Sequence, residues 1–132
     1  SQRARIDLLR GSLVYEDDRL SGFDAISLVE VIEHVEAERL DALERVVFKT
    51  ASPNTVIIST PNVEYNAAFD GMVPGQLRHH DHRFEWTRGE FATWAEGVCE
   101  RNGYAVTFEG IGEEHPDLGF PTQMAIFTRG AR

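Results

Sequence analysis

Two short apolar runs, with one stretch of helical period between them, constrain this chain more than any other feature. Residues 24–29 read Asp-Ala-Ile-Ser-Leu-Val and follow Ser21-Gly22. Residues 55–60 carry Val56, Ile57 and Ile58 and are closed by Pro61-Asn62. Short apolar runs between turn residues are predicted as strands buried on both faces. Between them, Leu40, Leu43, Val47 and Ala51 recur at helical spacing, with Glu36, Glu38, Asp41, Glu44 and Lys49 on other faces. A helix over residues 36–51 follows. Ser52-Pro53-Asn54 stops it, because proline cannot extend the hydrogen-bond ladder and restricts the residue before it.

The same reading extends outward. Ile6, Leu8 and Leu9 predict a short strand over residues 5–9, broken by Gly11-Ser12. Residues 62–77 form a long irregular segment, and a loop of that length in a compact domain is usually functional or mobile. Residues 87–102 form the clearest helix. Thr87 and Glu90 fit a capping box, Phe91, Trp94, Ala95, Val98 and Cys99 make an apolar stripe, and Asn102-Gly103 supplies a left-handed stop. That stripe reads as core. Tyr104, Val106 and Phe108 alternate as in a half-covered strand, and residues 123–128 form a last strand, hairpin-paired with it. Strands alternating with helices imply an α/β fold, a mostly parallel sheet with an antiparallel strand at the C-terminal hairpin.

A chain of 132 residues suits one domain, residues 1–132, with one core. No apolar run approaches the ~20 residues of a membrane helix, and no signal-peptide pattern opens the chain. Its single cysteine, Cys99, forbids an internal disulfide and fits a cytoplasmic location. The net charge of −9 excludes a general nucleic-acid coat, which needs a basic surface. It does not exclude one nucleic-acid end in a locally basic pocket. Arg78, Arg83 and Arg88 sit around a histidine cluster, where they either meet a ligand or balance nearby carboxylates.

Ligands of open α/β sheets bind beyond the carboxyl ends of strands. Glu30 stands at such an end. If residues 30–34 start a helix, Glu33 and His34 share a face with Glu30, three and four residues away. Two carboxylates and an imidazole then converge, and one more histidine from His79, His80 or His82 completes a set of four. Oxygen and nitrogen donors in that mixture suit a six-coordinate divalent ion with two open positions; zinc prefers four ligands. Alone, an acidic helix start has a plainer explanation in the helix dipole. The second cluster favours the metal.

The apolar strand followed by Glu30-Val31-Ile32-Glu33-His34-Val35 resembles the fourth-strand region of class I methyltransferases that use S-adenosylmethionine. Residues 59–66, Ser-Thr-Pro-Asn-Val-Glu-Tyr-Asn, and residues 78–88, Arg-His-His-Asp-His-Arg-Phe-Glu-Trp-Thr-Arg, are more specific. Both are similar to the family that methylates the 2′-hydroxyl at the 3′ end of small RNAs, including bacterial RNA-repair members. The resemblance runs from about Gly11 to Phe127. It implies a Rossmann-like sheet, metal ligands at Glu30, Glu33, His34 and His82, and Ser12 in the cofactor pocket. It also implies a proton acceptor at His79 or His82, and a divalent ion, manganese or magnesium, that binds the vicinal hydroxyls of the last ribose. Phe84 and Trp86 are candidates for stacking on a terminal base, though core packing explains both. A polynucleotide kinase-phosphatase and ligase repair system is the partner the resemblance implies.

The family's glycine-rich loop and the acidic residue that holds the cofactor ribose have no counterpart before Ser12. The expectation is therefore a C-terminal portion of a catalytic domain, incomplete on its N-terminal side and not active alone. Two other readings remain at this level. One is a non-catalytic module that binds metal and RNA ends. The other is a metallohydrolase, weakened because Glu-x-x-Glu-His lacks the first histidine of His-x-x-Glu-His.

Overall fold

The structure, a computed structural model, describes residues 25–68 and 85–130. Four strands form one sheet: β1 (Ala25–Val29), β2 (Thr55–Pro61), β3 (Tyr104–Ile111) and β4 (Thr122–Arg129), in the order β1-β2-β4-β3. β1 pairs with β2 in parallel, and β4 is antiparallel to both β2 and β3. Three strands therefore run one way, and β4 is inserted between two of them in the opposite sense. The predicted hairpin of the last two strands is present. Among the named strands, however, parallel pairing is confined to β1 and β2, with one isolated parallel bridge between Asn62 and Trp86. The predicted strand over residues 5–9 lies outside them.

Helices pack on one face of the sheet. Leu28, Val56, Ile58, Ala125 and Phe127 line that face through the pairings Leu28↔Ile58, Ile58↔Ala125 and Val56↔Phe127, and all are buried. Phe48 reaches it from the first helical segment, with ring centroids 5.1 Å from Tyr104 and 5.0 Å from Phe127. Each such side chain stabilises the fold by roughly 1.5–3 kcal/mol through burial. Of β1, Leu28 is buried, while Ala25, Ser27 and Val29 are exposed, Val29 by 62%. The expectation of burial on both faces fails here: among the described residues only one face of β1 is covered.

The stretch predicted as one helix over residues 36–51 is composite. A 3-10 turn (Ala37–Arg39) leads into α1 (Leu40–Glu44) and then a π-helical segment (Arg45–Ala51). Val46, Val47 and Phe48 are all buried there. Three consecutive buried residues exceed what the stripe of a regular amphipathic helix presents, and the wider turn accommodates them. Ser52 ends the segment in the left-handed conformation at φ 44°, its N–H bonding to Val47 O at 3.0 Å.

α2 (Arg88–Asn102) forms as read. The Thr87 hydroxyl accepts from Glu90 N, the Glu90 carboxylate accepts from Thr87 N, and Gly103 closes the helix at φ 75°. Phe91, Ala95 and Val98 are buried. α2 is tied to α1 through Glu44, whose carboxylate accepts two hydrogen bonds from Arg101, both 2.9 Å, and one from Asn102 at 2.8 Å. Burial pushes the Glu44 carboxyl up, but the bonds from Arg101 and Asn102 outweigh it and hold the group below its usual range. A lowered native pKa means stability present above the unfolded value of about 4.3 and lost as pH falls through the lower native value. Arg101→Ala is expected to cost about 1–2 kcal/mol at pH 7 by urea unfolding, reduced because Arg101 is half exposed and Asn102 remains. The gap between parent and variant should close as pH falls below ~4.

Candidate functional site

At the carboxyl end of β1 the chain turns sharply. Glu30 adopts φ 56°, a left-handed conformation that costs a non-glycine residue roughly 1–2 kcal/mol. Its N–H still bonds to Ser59 O at 3.0 Å, so the ladder to β2 runs one residue past β1. A 3-10 turn (Ile32–His34) follows, with His34 N bonded to Val31 O at 3.0 Å. Residues 30–34 are therefore a bend plus a tight turn, not the start of a helix. The helical spacing behind the shared face predicted for Glu30, Glu33 and His34 is absent, because Glu30 is left-handed and a 3-10 turn follows it. Glu30 and His34 are exposed, while Glu33 is fully buried at 0% exposure.

Glu33 is the unusual group. Its Oε1 accepts a 2.7 Å hydrogen bond from Thr60 Oγ1, and Thr60 is equally buried. Its Oε2 is buried and accepts no hydrogen bond among the described residues. Among the described residues, His34 Nε2 lies 3.9 Å from Oε2, and its side chain is 41% exposed. Leaving a buried carboxylate oxygen unsatisfied costs about 1–3 kcal/mol. Two donors each ~2.1 Å from one ion can stand up to about 4.2 Å apart, so this pair fits a shared divalent cation. Among the described residues no group of three or more such side chains is close enough to hold a metal.

The end of β2 forms the other wall. Asn62 is buried; its Nδ2 donates to Leu118 O and Phe120 O, both 2.9 Å, and its Oδ1 accepts from Glu64 N at 3.0 Å. Val63 N bonds to Trp86 O at 3.1 Å, and Gln123 Nε2 donates to Pro61 O at 3.2 Å and Trp86 O at 3.0 Å. Asn66 Nδ2 donates to Glu85 Oε1 at 2.6 Å, and both residues are buried. These bonds bring residues 59–66 and residues 85–86, the first described residues of the second motif, together at the carboxyl end of β2. The predicted irregular segment begins instead with a 3-10 helical stretch (Val63–Ala68).

Arg88 answers the question about local charge. Its guanidinium donates from Nε to Glu64 Oε1 at 2.9 Å and from Nη2 to Glu64 Oε2 at 3.2 Å. The hydrogen bond from Arg88 holds the Glu64 carboxyl below its usual range. Arg88 thus balances a carboxylate. Trp86 packs 5.4 Å from Trp94 and 6.2 Å from Phe91, so its core explanation holds over base stacking. Cys99 is half-buried, and burial pushes its thiol pKa up, as expected for an unreactive core cysteine.

His82, His79, His80, Ser12, Arg78, Arg83 and Phe84 lie outside the described residues. His82 is three residues before Glu85, which is itself fixed to Asn66. Sequence reasoning missed the parts played by Thr60, Asn62, Asn66 and Gln123. Thr60, Asn62 and Asn66 belong to the family-like motif of residues 59–66, and the signal at Gln123 was polarity at one end of an apolar strand.

No family model matches the chain. A curated small RNA 2′-O-methyltransferase of Xenopus tropicalis is 46% identical over 127 residues, which is 94% of this chain and 34% of that protein. The chain spans about a third of the length of such animal relatives. A solved bacterial methyltransferase domain, CtHen1-C, is 54% identical at a TM-score of 0.82, covering 96% of this chain and 63% of that one. A chain in the solved Pnkp1/Rnl/Hen1 RNA repair complex is 28% identical at a TM-score of 0.65, covering 86% of this chain and 24% of that one. A SAM-dependent methyltransferase from Archaeoglobus fulgidus, 13% identical at a TM-score of 0.64 over 92% of this chain and 66% of that one, shares the fold. The sheet is that of the class I methyltransferases.

Proposed function

For a chain that belongs to the Hen1-type small RNA 2′-O-methyltransferase family, we propose that it is the metal-holding portion of a catalytic domain that methylates the 2′-hydroxyl of an RNA 3′ end. The observation that carries this reading is the buried Glu33 carboxylate, with one oxygen held by Thr60 and the other open toward His34. Glu33, His34, Glu30 and His82 would hold the divalent ion, manganese or magnesium. Such an ion supplies Lewis acidity at the hydroxyls of the terminal ribose, and S-adenosylmethionine supplies the methyl group.

The chain's own residues do the rest. Glu33 and Thr60, both buried, fix one donor against the sheet. The Asn66–Glu85 and Val63–Trp86 bonds join the described residues on either side of the stretch that contains His79 and His82 in the sequence. One of these two histidines would accept the 2′-hydroxyl proton as the methyl group arrives. Ser12 would line the cofactor pocket. Likeness to a chain of the Pnkp1/Rnl/Hen1 complex supports a kinase-phosphatase and ligase as partners. No described helix is long and apolar enough to cross a membrane, and the single cysteine supports a reducing compartment such as the cytoplasm.

Tritiated methyl transfer to a small RNA tests the reading in the full protein. Transfer is expected with free 2′ and 3′ hydroxyls, and to fall at least about 100-fold with a 3′-deoxy end, which loses one of the two hydroxyl contacts. Equal transfer to both ends would overturn it. Manganese titration into His82→Ala and His79→Ala identifies the fourth donor; unchanged binding by His82→Ala would reassign it to the other histidine.

A further inference from the structure

We propose that Thr60 is a positioning residue for the ion, one that selects which oxygen of Glu33 faces it. The inference rests on the metal reading given above and concerns a residue that reading leaves unassigned. Thr60 lies on the helix-covered face of β2, two residues beyond Ile58 and opposite Gln123 of β4. Val56 and Ile58 precede it on that face and are apolar and fully buried. A hydroxyl at the next position of such a row has a cost: burying it without a hydrogen-bond partner costs about 1–3 kcal/mol. The row switches to a hydroxyl where Glu33 of the 3-10 turn arrives beside it.

The single 2.7 Å bond from Thr60 Oγ1 to Glu33 Oε1 makes the two carboxylate oxygens unequal. Oε1 is satisfied and points into the sheet. Oε2 accepts nothing among the described residues and lies 3.9 Å from His34 Nε2. A glutamate has three rotatable side-chain torsions, and its terminal one is broad and roughly two-fold. Without the Thr60 hydroxyl, no hydrogen bond among the described residues holds either oxygen of Glu33 in place. Hydrogen bonds to ligating carboxylates orient them, and their loss typically weakens metal affinity 10–100-fold.

Three variants test the assignment: Thr60→Ser keeps the hydroxyl, Thr60→Val keeps the shape, and Thr60→Ala keeps neither. Manganese binding is read by electron paramagnetic resonance and calorimetry on the full chain, with thermal unfolding recorded beside it. Thr60→Ser is expected to bind within about 3-fold of the parent, and Thr60→Val 10–100-fold more weakly. If Thr60→Val does not fold, Thr60→Ala against Thr60→Ser carries the comparison. Equal binding by parent and Thr60→Val, or a loss in Thr60→Ser as large as in Thr60→Val, overturns the assignment while leaving the metal reading in place. Absence of manganese binding by the parent removes the metal reading and this assignment with it.

Discussion

Glu33→Gln is expected to lower activity without lowering stability in the absence of metal. Glu33 is fully buried, and its Oε2 accepts no hydrogen bond among the described residues. Without metal, a glutamine is isosteric, keeps an acceptor for Thr60 and replaces a buried oxygen that accepts no hydrogen bond among the described residues, so the variant should be at least as stable as the parent. With manganese the order should reverse. A ligand that binds only the native state adds about 2.7 kcal/mol at a concentration 100 times its dissociation constant, and the amide is a far poorer metal donor than the carboxylate. Methyl transfer to a small RNA should fall at least about 100-fold, the loss of roughly 2.7 kcal/mol of transition-state stabilisation. Thermal unfolding with and without manganese, plus a tritium assay, checks all three. A variant less stable than the parent without metal and fully active would show that Glu33 is an ordinary buried core group.

Phe127→Ala is expected to cost about 3–5 kcal/mol. Phe127 is fully buried in the C-terminal half of β4. Its ring meets Phe48 of the π-helical segment at 5.0 Å and Trp94 of α2 at 6.3 Å, so it joins both helices to the sheet. A domain of this size holds about 5–15 kcal/mol in total, and the variant should lose roughly a fifth or more of that. Urea unfolding followed by tryptophan fluorescence reads the change, since Trp94 lies against the deleted ring. Phe127→Leu, which keeps most of the volume, should cost less than half as much. Equal losses in both would mean that ring contacts, not cavity formation, dominate.

The fold was legible where local signals agree. Thr87, Glu90 and Gly103 each act within one or two turns of α2, and the capping box and left-handed stop appear as their residue types require. Pro53 and Ser52 end the first helical segment for the same reason. The π-helical turn was not legible. It answers to the burial of Val46, Val47 and Phe48 against the sheet, and the packed sheet face rather than the local sequence sets that demand. Nor was the exposure of Val29, because an apolar run does not report how many of its faces are covered.

The sequence by itself determined the residue types of the site, its place at strand ends, and its kinship with enzymes that methylate small RNAs. It did so because motifs are read in order along the chain. Only the tertiary structure decided how the candidate donors are placed. A left-handed Glu30 turns what spacing predicts as a helical face into a bend. Thr60, 27 residues away in sequence, supplies the hydrogen bond that leaves one oxygen of Glu33 open. The position of an oxygen depends on backbone angles and on partners remote in sequence, and neither is written in the spacing of carboxylates and histidines.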